Sequence, residues 1–414
     1  MASNYQAPRG TFDILPADGR VRGRIEATAA AIFARAGYEP IATPAFEDTE
    51  LFERGVGRST DIVRKEMFSF EDKGGRSITL RPEGTAPICR AYLEHGMHKL
   101  AQPVKLSYSG PFFRHERPQA GRFRQFHQLG VEAIGSDSPL ADAEAIMLLA
   151  DLLAELGVPG VELRLGSLGS PAARSAYLEE LKAYLRAHEA ELSKDVRERI
   201  EINPLRAFDA DDEATRTAMA GAPTLLEHLD GEDAEHFAEV RALLEAAGIA
   251  YEIDPTLVRG LDYYTRTIFS FVCAELGAQS EIGGGGRYDG LIEQLGGPAT
   301  PAVGWAAGIE RIMLALGEAV EAEPRDAFLA VADPGQRRRA LALAGELRHA
   351  GLSAEVDLAG RSLKGQLKHA DRIGAARVLI LEADGSAQLR DMGSGEQRPI
   401  EPGDLIEAIG GEPR

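Results

Sequence analysis

Apolar residues recur at helical spacing over residues 17–36 and stop at Gly37, which predicts a helix with a glycine C-terminal stop. Two short strand-like stretches, 66–71 and 77–80, flank Lys73, Gly74 and Gly75, a hairpin signal. A helix is expected over 85–95, ended by Gly96. Aromatic and β-branched residues over 104–109 and 123–134 predict two antiparallel strands, with the turn at 118–121 before the second. Residues 140–156 then read as a helix and 161–165 as a strand.

From 170 to 247 the pattern is helical almost throughout, rich in Ala, Glu, Leu and Arg, which predicts a helical insertion in the main domain. Strand pattern resumes at 266–274, followed by the glycines 283–286 and a helix near Leu291. A strand at 302–306 runs into a helix over 309–316. Residues 317–325 are acidic and contain proline, the features of a linker. Beyond them, strands at 327–332, 353–356 and 377–381 alternate with helices at 337–350 and 362–373, a small α/β domain with its own sheet. The expected organisation is a core in two parts, 1–169 and 248–320, the insertion 170–247, and a terminal domain 327–414.

Composition narrows the class. With 414 residues, 44% hydrophobic and 27% charged, the chain matches an ordinary globular protein. A net charge of -19 argues against nonspecific duplex binding by the whole surface, while leaving room for local basic patches. Two cysteines, Cys89 and Cys273, are too few for a disulfide scaffold or a cysteine zinc site. Residues 1–9 hold no apolar run for a signal peptide, and no stretch reaches the length of a membrane helix, so a cytoplasmic setting without membrane is expected.

Against that acidity one segment stands out. Arg114, Arg117, Arg122 and Arg124 lie close together with Glu116 the single acidic residue among them. Such a cluster suits a polyanion such as nucleotide phosphates, or forms a solvated hairpin with cross-strand ion pairs. Two-residue periodicity would place Arg114 and Glu116 on one face of the hairpin. No phosphate-loop or dinucleotide-binding signature is present. The glycines 283–286 either let backbone approach a ligand or let a strand pack tightly, the second being the simpler reading. Glu83 and Thr85 fall at a strand-to-helix turn, where Thr85 would otherwise serve as a helix cap. Residues 258–268 crowd Arg259, Asp262, Tyr263, Tyr264 and Arg266 around a glycine turn. Arg311 sits on the helix after the glycine-containing strand 302–306, where a solvent-exposed helical arginine is the plain alternative.

Together these segments resemble the class II aminoacyl-tRNA synthetases. Arg114-His115-Glu116 and Gly308-Ile309-Glu310-Arg311 are similar to the second and third signature motifs of that class. The peptides 257–267 and 284–290 resemble the two that are particular to the histidyl-tRNA synthetase family, and 6–13 and 80–85 match its other landmarks. The resemblance runs from about residue 4 to the C-terminus. It implies an α/β (α+β) fold: a class II antiparallel sheet flanked by helices, a helical insertion, and a C-terminal α/β anticodon-binding domain.

The resemblance also implies a chemistry: histidine and ATP form histidyl-adenylate and pyrophosphate, and histidine is then transferred to the 3′ end of tRNA(His). Arg114 and Arg259 are the implied catalytic residues. The histidine site would comprise Glu83, Thr85, Gln128, Glu132, Tyr263 and Tyr264 with those two arginines, Glu132 and Tyr264 facing the imidazole. Arg114, Glu116, Phe126 and Arg311 would bind ATP, with Mg²⁺ expected on its phosphates and no metal held by the protein alone. Arg117, Gln119 and Arg122 would meet the tRNA acceptor end, and Arg361, Lys364 and Lys368 on one helix segment form either a local basic patch for tRNA or a solvated helix face. A homodimer through residues 42–46 is implied as well.

A regulatory relative, sensing histidine or partnering a phosphoribosyltransferase, is the alternative. Such relatives typically lack the anticodon module and parts of the histidine and ATP motifs. Here Arg114, Arg259, Tyr264, Arg311 and the extra domain are all present.

Overall fold

A computed structural model describes residues 5–119, 121–210, 212–317 and 323–410. The chain forms two compact units, 1–320 and 321–414. Of the expected linker 317–325, residues 318–322 lie outside the described residues.

The first unit is built on an eight-stranded sheet. Its order is Glu39–Pro40, Val104–Phe113, Gln125–Ile134, Ala302–Gly308, Glu281–Arg287, Thr265–Cys273, Val161–Ser167 and Glu252–Ile253. The six inner strands pair antiparallel and the two short edge strands pair parallel. Strand alternation sorts the side chains. On one face Leu129, Val131, Ala133, Phe269, Phe271 and Trp305 join a core backed by the helices Pro16–Arg35, Pro139–Leu156 and Gly231–Ala246. The first of these begins with Pro16 in its first turn and buries Val21, Ile25, Ala29, Ile32 and Phe33 at helical spacing; Gly37, at φ +78, lets the chain turn away.

The opposite face carries Phe126, Gln128, Gly130 and Glu132. Register sets Tyr108 opposite Gly130, Gly130 opposite Ala306, and Ala306 opposite Gly284, so a row of small residues crosses the middle of the sheet. Tight packing is the structural reason for the glycine run. A Cβ on Gly285 would lie 2.0 Å from the Gly304 carbonyl oxygen, and one on Gly286 would lie 2.5 Å from that of Thr267. Gly284 also gives way to a side chain, since its Cβ would fall 2.9 Å from an Arg259 nitrogen. Close strand packing and open access to the face therefore use the same residues.

A separate three-stranded antiparallel sheet joins Phe46–Asp48, Ser77–Leu80 and Phe68–Glu71. Between Pro171 and Ala246 all described elements are helical. Tyr177, Leu181, Leu185 and Val196 share one apolar cluster with Ile88, Tyr92, Tyr263 and Tyr288, whereas the helix Gly231–Ala246 sends Phe237, Val240 and Leu244 into the core beneath the main sheet. Arg287 is a strut of the interior: it is wholly buried against Asp142 and donates to the carbonyls of Ser136 and Ser138 at 2.8 and 3.1 Å.

The second unit has the sheet order Ala354–Val356, Ala327–Val331, Arg377–Leu381, Ala387–Asp391 and Gln397–Pro399, parallel in its first three strands and antiparallel in the last two. Leu343, Ala344 and Leu347 of the helix Arg337–His349 cover one face; Ala370 of the helix Leu363–Arg372 covers the other. No helix among the described residues is long and apolar enough to cross a membrane.

Candidate active site

A cleft of about 630 Å³ opens over the small-residue row of the main sheet. Its arginines come from separate elements. Arg114 stands just past the strand Val104–Phe113, where its backbone N–H still pairs with Arg124. Arg114 and Glu116 therefore lie in the connection rather than on one strand face, because the regular ladder ends at Phe113 and only the Arg114–Arg124 hydrogen bond continues past it. The Arg114 Nε donates to the Pro82 carbonyl at 2.9 Å, and its guanidinium lies 5.3 Å from the centre of the Phe126 ring. Glu116 lies 3.8 Å from Arg114 and 3.4 Å from Arg122, and its buried Oε2 accepts no hydrogen bond. Arg311 crosses from the helix Ile309–Leu316 to donate to the carbonyls of Gly121 and Glu281, so it is a cleft residue and not a solvated helical cation.

Arg259 completes the cationic wall. Its Nη1 binds Glu281 at 2.6 Å and its guanidinium stands 5.7 Å from the Tyr264 ring centre, while its Nε is buried without a partner. Burial alone would lower this guanidinium's proton affinity; the charge of Glu281 and the adjacent tyrosines reverse that and hold it above the ordinary value. Burial likewise pushes Glu281 up, and Arg259, Arg311 and Arg114 together pull it below the ordinary carboxylate range. The loop carrying Arg259 is pinned by Asp262, which accepts from Ser59 and, at 3.2 Å, from Asn203. Arg266, from the same polar cluster, leaves the cleft and binds Asp233 at 2.9 Å.

The acceptors lie deeper. Glu83, 4% exposed, accepts from the backbone N–H groups of Thr85 and Ala86 at 2.8 and 3.0 Å and so caps the helix Thr85–Glu94. The capping expected of Thr85 thus falls to Glu83, because the Thr85 hydroxyl turns inward and donates to Glu132 at 2.8 Å. Burial lifts the Glu83 carboxyl above its ordinary range, against the pull of the two N–H groups and of Arg114. The Tyr263 hydroxyl lies 3.4 Å from Glu83, and the rings of Tyr263 and Tyr264 are 4.7 Å apart. Gln128 presents a buried Oε1 with no partner. Glu132 is fully buried behind the cleft wall, and Tyr288 donates to its Oε2 at 2.5 Å.

The structure thus gathers Glu83, Thr85, Arg114, Glu116, Arg122, Phe126, Gln128, Arg259, Tyr263, Tyr264 and Arg311 around one cleft. Arg117 and Gln119 are exposed and outside its lining; Gln119 closes the turn through a bridge to Arg122. Glu281 and Tyr108 escaped the sequence reading, and Tyr288 entered it only as part of the peptide 284–290. Glu281 merely precedes a glycine run, and Tyr108 lies in an apolar strand whose pairing alone brings it over Gly130. In the second unit, Lys364 and Lys368 share an exposed helical face, but Arg361 precedes the helix and is tied to Asp357 at 2.6 Å, so the three do not form one helical row.

This arrangement can hold a doubly anionic group between Arg114, Arg259 and Arg311, an aromatic plane on Phe126, and a cation at Glu83 and Gln128. Comparison with known proteins identifies the two parts of the chain. The family profile described as histidyl-tRNA synthetase matches residues 10–312, and the one described as anticodon binding domain matches 326–412. A histidine–tRNA ligase of Halothermothrix orenii is 50% identical over 414 residues, covering 98% of this chain and 99% of its own. The apo histidyl-tRNA synthetase of S. aureus has TM-score 0.82 at 36% identity, covering 98% of this chain and 99% of its own. A Bacillus halodurans chain described as an ATP phosphoribosyltransferase regulatory subunit/histidyl-tRNA synthetase shares the fold at TM-score 0.68 and 24% identity, covering 92% of this chain and 100% of its own.

Proposed function

The chain belongs to the histidyl-tRNA synthetase family, ligases that join histidine to tRNA at the expense of ATP, and from that premise we propose how its cleft divides the work. The carrying observation is the convergence of Arg114, Arg259 and Arg311 opposite the acceptors Glu83 and Gln128. The histidine carboxylate attacks the α-phosphate of ATP, pyrophosphate leaves, and the adenylate then acylates the 3′ end of tRNA(His). No protein nucleophile is consumed, so rate comes from positioning and from charge placed where the transition state needs it. Arg259 faces the α-phosphate, kept in place by Glu281. Arg114 bridges carboxylate and phosphate; adenine lies between Phe126 and Arg311, with Glu116 at its edge. Glu83, Thr85 and Gln128 take the α-ammonium, and Glu132 with Tyr263 and Tyr264 serves the imidazole.

Among the described residues no cluster of three or more His, Cys, Asp or Glu could hold a metal ion. We assign Mg²⁺ to the ATP phosphates, as part of the substrate. The proposed organisation is a core of 1–169 and 248–320, a helical insertion 170–247, and an anticodon-binding domain 327–414. Arg117, Gln119 and Arg122 would meet the acceptor end. We propose a cytoplasmic homodimer joined through residues 42–46, where Phe46 is 53% exposed; light scattering should give twice the chain mass, and a single-chain mass overturns it.

Histidine-dependent ATP–pyrophosphate exchange tests the activity, with the other amino acids as controls, followed by charging of tRNA(His). Exchange with histidine alone is expected. Histidine binding without exchange would instead favour the regulatory relative.

A further inference from the structure

The N-terminal segment 8–12 lies against the far limb of the loop 114–124. It begins with a turn in which Thr11 donates to the Pro8 carbonyl from its N–H at 3.0 Å and from its hydroxyl at 2.8 Å. The Gly10 carbonyl accepts from the Arg124 N–H at 2.7 Å, and the Arg124 carbonyl accepts in turn from the Arg114 N–H at 3.0 Å. One residue, Arg124, thus links the segment to the start of the loop. Its side chain stays outside the cleft lining, with Nη1 and Nε directed at the carbonyls of Arg9 and Glu116, each at 3.4 Å. Its methylenes cover Gly10, which stands at φ +87; a Cβ there would lie 2.8 Å from Arg124 Cγ and Cδ and 3.0 Å from Pro118 Cγ. Beside this contact the rings of Phe12 and Phe123 lie 4.4 Å apart between centres.

The two ends of the loop are held differently. Arg114 and His115 have anchors of their own, the carbonyls of Pro82 at 2.9 Å and of Glu66 at 2.7 Å. The far limb is met at Gly121 by Arg311 and, over Pro118, Phe123 and Arg124, by the N-terminal segment. Arg117 and Gln119 are exposed between these supports. We propose that residues 9–12 are a positioning strap for the tRNA-dependent step: by holding Pro118, Phe123 and Arg124 they fix the part of the loop that meets the acceptor end, while Arg114 stays set for the first step by its separate anchors. This rests on the reading above that assigns Arg117, Gln119 and Arg122 to the acceptor end. Phe12 and Gly10 touch no reacting group; they act through the loop.

The test uses full-length Phe12→Ala, Gly10→Ala, Phe12→Tyr, Gln119→Ala and the double variant Phe12→Ala/Gln119→Ala. Phe12→Ala and Gly10→Ala should slow single-turnover transfer from preformed histidyl-adenylate to tRNA(His) by about tenfold to a hundredfold, the scale set by misplacing a group by about 1 Å, with ATP–pyrophosphate exchange within about threefold. Phe12→Tyr keeps the ring contact and should stay within about twofold of wild type in both assays. Gln119→Ala should itself slow transfer, and the double variant should be little worse than the poorer single one, because both act on one loop. Amide hydrogens of 115–124 should exchange with solvent about tenfold faster or more in Phe12→Ala and Gly10→Ala than in wild type. Unchanged loop amides in these two variants overturn the proposal. Equal losses in pyrophosphate exchange and transfer also overturn it, since the segment would then support the cleft as a whole. A Gln119→Ala protein that transfers like wild type overturns the assignment of the loop to the acceptor end, and the proposal with it. If wild type shows no histidine-dependent exchange, the histidine-activating reading alone fails, and the loop amides still decide whether the strap holds the loop.

Discussion

Glu132 is a carboxyl group in an interior it does not suit. Burial pushes its pKa up to about 8 from an ordinary 4.5, with the hydrogen bonds from Tyr288 and Thr85 opposing and Glu83 adding to the rise. The titratable groups that interact with it, Tyr38, Glu83, Cys89, Tyr108, Tyr263, Tyr264 and Tyr288, include no cation. Between the two pKa values the folded protein keeps a proton that the unfolded chain releases, so this group makes stability fall as pH rises through that window. Glu132→Gln should therefore raise Tm at pH 9 by about 3 °C, while leaving it nearly unchanged at pH 4 and sharply lowering exchange. Scanning calorimetry at the two pH values checks this; an equal shift at both would refute the buried-charge account. Arg259→Ala should cut adenylation by about 10²–10³-fold, the scale of one lost electrostatic contact at the transition state, with circular dichroism unchanged. Near-normal exchange in that variant would remove Arg259 from the mechanism. Of these residues Arg259 was visible in its motif, whereas Glu281, which holds it, was not, because a glutamate before a glycine run carries no local mark.

At the scale of elements, the inner strands and the longer helices agree with the apolar pattern to within a few residues. The mismatches have local causes. Residues 53–57 and 62–66 form π-helical turns, whose wider spacing no simple periodicity reveals. The edge strands Glu39–Pro40 and Glu252–Ile253 are too short to show alternation, and 387–391 and 397–399 are strands only through pairing with the sheet. The glycine strand gives a sharp prediction. Gly285→Ala must push apart two strands at the sheet centre, where its Cβ would meet the Gly304 oxygen at 2.0 Å and Trp305 Cα at 2.6 Å. A loss of about 3 kcal/mol in urea unfolding is expected. Gly23→Ala is the control: nothing lies within 4 Å of its Cβ in the helix Pro16–Arg35, so a gain of about 0.5–1 kcal/mol is expected. A neutral Gly285→Ala would mean that the strands can separate without penalty.

For the whole molecule, each compact unit has its own apolar clusters: Leu329, Leu347 and Leu379 belong to the second, and none of the first unit's cluster residues joins them. A chain ending at Val320 should fold and keep histidine-dependent exchange within about threefold, but lose charging of tRNA(His) by about 10²-fold or more, as expected if the second unit supplies tRNA binding energy. Parallel exchange and charging assays check this. Equal loss in both would show that the second unit supports the cleft directly.

What the sequence determined by itself is what short-range physics encodes. Aromatic and β-branched runs located the paired strands, helical spacing marked the long helices, and clustered arginines against an acidic chain pointed to an anion site. Family motifs then carried identity and the expected site. Tertiary structure decided the partners. Tyr288 reaches Glu132 from 156 positions away, Arg311 reaches Gly121 from 190, and Thr85, at the start of a helix, gives its proton across 47 to a carboxylate on a strand of the main sheet. Those meetings depend on strand order and register, which arise from burying one face of the sheet as a whole, and no local window of residues contains them.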